Sequence, residues 1–350
     1  MTSWSRTRPR QPLPREADSG GAADVKIAAR AKPEPERGVS ASARLKRILV
    51  IKLGALGDFV QAMGPAAAIR THHQGAEITL LTTAPYAELA RDAPYFDRVM
   101  VDERPRLFDL GALWRLRRSL RAPRFERVYD LQTSARSSWY FHLLGAGRRP
   151  EWSGIAQGCS HPQANPARSR MHTLERQADQ LRYAGIEQVP APDLSWATKP
   201  ITRFDLPAQF LVLVPGGSKH RPEKRWPAGR YAQLASLAAK HGLTSVIVGG
   251  PDEREVGREI VRVCPTARDL TGRTSFGEIV GLGAVARVAV GNDTGPMHLL
   301  VAAGSPATVL YSSASDPALT QPCGRSVIIL RRGNLADLAV DEVAATLNMS

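Results

Sequence analysis

The sequence predicts an α/β protein: two doubly wound parallel sheets facing a central cleft, behind a disordered N-terminal tail. Three observations carry that expectation. Short apolar runs rich in Val, Ile and Leu alternate with longer stretches of helical character, as in parallel strands buried on both faces and joined by helices. Several of the runs end in glycine where the next helix begins, as at Gly54, Gly216 and Gly249. A proline-rich stretch without periodicity, "EQVPAPDLSWATKPITRFDLP" over 187–207, interrupts the alternation, which then starts afresh.

In order, "RILVIKLGALGDFVQAMGPAAAIRTHH" opens with a strand at Ile48 to Ile51, a glycine turn and a helix running to about Arg70. "AEITLLTT" (76–83) is a strand and "PYAELARDA" a helix. "RVMVD" (98–102) and "RVYDLQT" (127–133) are strands around a basic helix, "LGALWRLRRSLRA". Beyond the proline-rich stretch, "FLVLVPGG" and "TSVIVGG" are strands. "PAGRYAQLASLAAKHG", "DEREVGREIVRVC" and "FGEIVGLGAVA" are helices. "ARVAVG" (286–291) is a buried strand, "MHLLVAAG" a helix closed by Gly304, and "ATVLYS" a further strand. The expected units are a tail over 1–45 and two domains over 46–195 and 196–350.

Composition narrows the class. The chain has 350 residues, 43% of them hydrophobic, enough for two cores. Cys159, Cys264 and Cys323 are isolated and odd in number, so neither a disulfide framework nor a zinc site is expected, and a reducing cytoplasm fits best. No apolar run approaches the roughly 18 residues of a membrane span, and no apolar signal segment follows Met1. The net charge of +14 comes partly from the Pro-, Arg- and Ser-rich start, whose composition cannot offset its ordering entropy. No nucleic-acid-binding signature accounts for the remainder.

Four motifs sit at expected strand ends. In "KLGALGDFV" the spacing of Gly54 and Gly57 fits neither a dinucleotide fingerprint nor a P-loop. Asp58 stands at the expected helix N-cap, as a structural cap or as a carboxylate suited to general base work. "VPGGSKHRPEKRWP" gathers Lys219, His220, Arg221, Lys224 and Arg225, a solvated face or a phosphate site. "VGGPDEREV" offers Glu253, matching the helix dipole or accepting from ribose hydroxyls. In "VGNDTGPMHLLVAAG", Asp293, Thr294, Gly295, Pro296 and His298 make a strand-to-helix turn whose free N–H groups favour an anion.

In this order the motifs resemble the ADP-heptose:lipopolysaccharide heptosyltransferases, glycosyltransferase family nine, over roughly 46–332. D-T-G-P-M-H is the specific signature; the others are weak singly. The resemblance implies the GT-B fold of two Rossmann-like domains, with the acceptor on the first and the nucleotide on the second. It implies inverting transfer of a heptose-like sugar from a nucleotide diphosphate, ADP-heptose first, to an acidic lipopolysaccharide core acceptor, without metal or cofactor. By the same resemblance Asp58 is the general base, Lys224 holds the phosphates, Glu253 the ribose, and Asp293 lies near the donor. A diphosphate leaving without Mg²⁺ needs other positive charge, which Lys224 and the N–H groups of Thr294, Gly295, Met297 and His298 can supply. Gly54 and Ala55 stand where many members carry serines, and Gly64 where a proline is common.

Several residues keep two readings. His298 is a structural helix-end histidine or a donor contact, and Trp226 a core residue more than a base-stacking platform. Arg104, Arg106 and Arg136 are weak acceptor-side candidates. The helix over 110–122 is a domain helix with a solvated basic face or a contact with the cytoplasmic face of the inner membrane. Rivals to the transferase are a sugar-nucleotide epimerase on the same fold and a catalytically silent nucleotide-sugar-binding protein.

Overall fold

A computed structural model describes residues 45–347, except 107, 146–148 and 218–219. Residues 1–44 of the expected tail over 1–45, and Lys219, therefore lie outside the described residues.

The described residues form twelve strands: β1 Arg47–Ile51, β2 Glu77–Thr82, β3 Arg98–Val101, β4 Arg127–Asp130, β5 Glu151–Gly154, β6 His161–Pro162, β7 Phe210–Val214, β8 Thr244–Ile247, β9 Arg268–Asp269, β10 Val288–Asn292, β11 Ala307–Tyr311 and β12 Val327–Arg331. They make two six-stranded sheets, β3-β2-β1-β4-β5-β6 and β12-β11-β10-β7-β8-β9, with parallel pairing throughout. Each is a doubly wound sheet whose strand order reverses beside its own first strand. The reversal points lie between β1 and β4 in one sheet and between β7 and β10 in the other. Ligands of such sheets bind beyond the carboxyl ends of those strands. The central strands are buried along nearly their whole length, as continuous apolar runs require.

Several expected boundaries shift. The helix after β1 is two helices, Leu56–Gln61 and Met63–His72, because Pro65 has no N–H to give to the Gln61 carbonyl. The helix of the D-T-G-P-M-H motif runs from Gly295 to Ala302. Gly304 follows in a left-handed conformation (φ 97°), and the Ser305 N–H returns to the Leu300 carbonyl at 3.1 Å, closing the helix as expected. The proline-rich stretch is no free linker. Leu194, Ala197 and Phe204 are buried, and the Lys199 N–H donates to the Gly277 carbonyl at 3.0 Å. An added Cβ at Gly281 would lie 2.3 Å from the Lys199 carbonyl oxygen, so glycine lets the stretch lie on helix Phe276–Val285.

The sheets meet through two helix N-termini. Leu56–Gln61, after β1, faces Gly295–Ala302, after β10. A Cβ on Gly57 would come 2.8 Å from His298 Cδ2, and one on Gly295 would come 2.6 Å from Leu56 Cβ. Only glycine permits that approach at either position. Beside this contact a clasp spans the cleft. Gln61 Nε2 donates to the Thr320 and Gln321 carbonyls (3.3 and 3.1 Å), His172 Nε2 to Gln321 O (3.0 Å), and Thr173 Oγ1 to Leu319 O (3.2 Å).

Candidate active site

A cleft of about 630 Å³ opens between the two carboxyl edges, lined by Asp58 and Gln61 on one side and by Arg221, Lys224, Asp293, Thr294, Gly295 and His298 on the other. Both reversal points feed it.

Asp58 occupies the third position of its short helix. The N-cap is Ala55, and no side chain caps the helix. The cap expected of Asp58 is thus not made, because the chain enters the helix three residues earlier. The Asp58 carboxylate has no hydrogen-bond or ion-pair partner among the described residues, which leaves it available to a ligand in the cleft.

Across from it, two predicted residues 69 positions apart meet. Lys224 Nζ lies 2.7 Å from Asp293 Oδ2, with the side chains 15% and 10% exposed. Lys224 ends a one-turn 3₁₀ helix, Pro222–Lys224, and Asp293 directly follows β10. Thr294 is the N-cap of Gly295–Ala302 but makes no side-chain cap. The N–H groups of Thr294 and Gly295 have no acceptor among the described residues and stand at the positive end of the helix dipole. The Met297 N–H is already given to the Thr294 carbonyl at 3.1 Å, and its side chain is fully buried outside the cleft lining.

His298 is 7% exposed, and its Nδ1 is buried without a partner. Burial pushes its pKa down from 6.5 to about 4, against the opposing pull of Asp293 and Asp58. The ring is therefore neutral at pH 7, a hydrogen-bonding group and not a cation.

Glu253 lies outside this lining. Its Oε2 accepts the Gly250 N–H at 2.8 Å, and its chain packs where a Cβ of Gly216 or Gly249 would go. It therefore closes the β7 and β8 ends together. Arg104, Arg106 and Arg136 are likewise not part of the lining. Arg104 and Arg136 converge on one pair: Asp102 accepts the Arg104 backbone N–H at 2.8 Å and the Tyr140 hydroxyl at 2.5 Å, while Arg136 donates to that hydroxyl at 3.4 Å. Arg106 is exposed and keeps apart. Trp226 is 1% exposed, a core residue.

Three groups were not singled out by sequence. Asn292, fully buried, donates to the Pro215 and Gly216 carbonyls (2.8 and 2.9 Å) and accepts from the Trp226 N–H and Tyr231 hydroxyl (2.9 and 3.0 Å). It ties the Lys224 loop to the Asp293 turn; a polar residue directly before D-T-G was the available signal. Lys52 and Asp130 are buried at the reversal point of the first sheet. Burial lowers the Lys52 pKa, with Asp58 the strongest opposing charge, and raises that of Asp130 to about 6. A charged residue inside an apolar run was their signal. Among the described residues no group of three His, Cys, Asp or Glu is placed to hold a metal ion.

Two doubly wound parallel sheets whose carboxyl edges face one cleft have the GT-B architecture. The model of glycosyltransferase family 9 (heptosyltransferase) matches residues 113–342, an interval that begins after Asp58. The chain belongs to that family and is a glycosyltransferase. It is 26% identical over 326 residues to lipopolysaccharide heptosyltransferase 2 of Escherichia coli, covering 81% of this chain and 88% of that one. Among solved structures it resembles E. coli ADP-heptose LPS heptosyltransferase II, with TM-score 0.71, 23% identity, and 86% of this chain and 97% of the other covered. E. coli heptosyltransferase WaaC with ADP follows at TM-score 0.68 and 20% identity, covering 85% and 98%. These structural likenesses bear on the fold.

Proposed function

We propose that the chain moves a heptose-like sugar, with inversion and without metal or cofactor, from a nucleotide diphosphate donor to a lipopolysaccharide core acceptor. The donor is ADP-heptose in the first instance, and the work is done at the cytoplasmic face of the inner membrane. Residues 46–195 hold the acceptor and 196–350 the donor. The observation that carries the reading is the opposition across one cleft of the unpartnered Asp58 carboxylate and the Lys224–Asp293 pair beside the free Thr294 and Gly295 N–H groups. The names of the relatives, and the ADP in one solved structure, support the choice of donor.

In this mechanism the diphosphate lies at the N-terminus of Gly295–Ala302, with Lys224 turning from Asp293 toward it. Fixed N–H dipoles and one ammonium offset the charge that develops on the leaving oxygen, the work a metal does elsewhere. Asp58, on the opposite wall, takes the proton of the acceptor hydroxyl as it attacks the anomeric carbon, and its charge also favours the oxocarbenium-like transition state. Neutral His298 offers a hydrogen bond between the two walls. Glu253 holds the ribose, and Arg104, Arg106 and Arg136 lie on the acceptor side.

Calorimetric titration with ADP-, GDP-, UDP- and dTDP-sugars in excess EDTA tests the donor site. ADP-sugars should bind tightest. Binding that vanishes in EDTA and returns with Mg²⁺ refutes the metal-free seat.

A further inference from the structure

Helix Leu110–Arg121 buries Ala112, Leu116 and Leu120 and turns an unusual face outward. Leu110, Trp114, Arg117, Arg118 and Arg121 stand at i, i+4, i+7, i+8 and i+11, one stripe at 3.6 residues per turn. Leu110 is 76% exposed and Trp114 59%, and Phe108, just before the helix, is 94% exposed. A domain helix that only needed solvation would not present its largest apolar side chains there. The guanidinium of Arg118 lies 5.4 Å from the Trp114 ring centroid.

At the far end of the stripe cations crowd together. A Cβ on Gly145 would have Arg117 Nη2 at 3.5 Å and Arg121 Nη1 at 3.8 Å, and Arg149 Nε donates to the Gly145 carbonyl at 2.8 Å. Arg47, Arg70, Arg98, Arg127 and Arg182 each have a carboxylate within 4 Å. Arg117, Arg118, Arg121 and Arg149 have none among the described residues. Three guanidinium groups gathered about Gly145 without a carboxylate counter-charge make a surface complementary to anions, and the apolar side chains beside it suit a surface whose interior is hydrocarbon.

We propose that this face docks on an anionic phospholipid bilayer. Phe108, Leu110 and Trp114 enter the headgroup boundary, and the arginines around Gly145 take lipid phosphates. The proposal shares with the transfer reading only the presence of a lipid surface; it names the part of the chain that meets it.

The test is co-sedimentation of the full chain with vesicles of phosphatidylglycerol and phosphatidylethanolamine, and with vesicles of phosphatidylcholine. The chain should bind the anionic vesicles, less so as salt is raised, and leave the neutral ones in the supernatant. Combined Arg117→Gln, Arg118→Gln and Arg121→Gln should lower the partition coefficient about a hundredfold, at roughly tenfold or less per charge. Leu110→Ala with Trp114→Ala should lower it about tenfold or more with all charges kept. Equal binding to neutral vesicles overturns the proposal. So does wild-type partition in both variants, or capture of an RNA oligonucleotide with no vesicle bound. Heptose transfer to a lipid-free acceptor, measured on the same preparations, should be the same in both variants. Absence of that transfer in the wild type would refute the transfer reading and leave the vesicle result standing.

Discussion

Lys224→Ala separates a phosphate-binding lysine from one that serves only to neutralise Asp293. In the structure the two side chains are 2.7 Å apart and at most 15% exposed, so the pair lies between a surface bridge and a buried one. Surface pairs contribute about 0–1 kcal/mol and breaking a buried pair costs about 3–5 kcal/mol, which brackets the stability loss at roughly 1–3 kcal/mol. The nearby helix N-terminus partly compensates the orphaned carboxylate. A charge-assisted contact to the diphosphate is a separate quantity, about 1.5–3 kcal/mol. Its loss weakens ADP binding about 10- to 150-fold. Calorimetry with ADP in EDTA on wild type, Lys224→Ala, Lys224→Arg and Asp293→Asn distinguishes the cases. The alanine variant should lose that affinity. The arginine should recover part of it, since a planar fork replaces a point charge imperfectly. Asp293→Asn should keep it, because the ammonium remains. Unaltered ADP affinity in Lys224→Ala, or an equal loss in Asp293→Asn, refutes the reasoning.

Three further expectations concern the frame of the cleft. Gly57→Ala drives a Cβ to within 2.8 Å of the His298 ring, and differential scanning calorimetry should show a loss of about 1–3 kcal/mol; an unchanged Tm contradicts the glycine contact. Asn292→Ala strands buried partners on two loops, a loss of about 3 kcal/mol or more by urea unfolding, and a loss under 1 kcal/mol would mean that the loops hold without it. His298 has a folded pKa of about 4 below its ordinary 6.5, so the folded state binds fewer protons and its contribution to stability is lost as pH falls from about 6.5 toward 4. Compared with His298→Gln, the wild type should lose about 2.5 kcal/mol between pH 7.5 and pH 4.5. Asp130, raised to about 6, titrates with the opposite sign but is common to both proteins and cancels. No pH-dependent difference between the two would contradict the buried neutral ring.

The central strands were legible because burial on both faces forces continuous apolar runs, and β1, β7, β10 and β11 carry them with few polar interruptions. β6 and β9 are two residues long and leave no periodicity to detect. β5, "EWSG", has a polar and glycine-rich sequence that reads as loop, and helix Thr173–Arg182 is strongly polar, with Gln177, Asp179 and Gln180 buried. β12, "VIILR", is an apolar run of the same kind as the central strands. At the site, turn chemistry at strand ends pointed to Asp58, to the basic loop that holds Lys224 and to the Asp293 turn, where side chains converge irrespective of their separation in sequence. The family resemblance singled out Lys224 within that loop. Their mutual arrangement was not legible, since the Lys224–Asp293 contact depends on Asn292 joining two loops. Nor was the displacement of Met297, whose N–H is spent on closing its own helix turn.

The most direct test of the account is turnover of ADP-heptose and a lipopolysaccharide core acceptor in excess EDTA, comparing wild type with Asp58→Asn. The expected result is metal-free transfer by the wild type and a loss of about 10² to 10⁴ in kcat for Asp58→Asn at unchanged ADP affinity. Transfer that requires Mg²⁺, or an asparagine variant that turns over normally while its donor binding weakens, contradicts it.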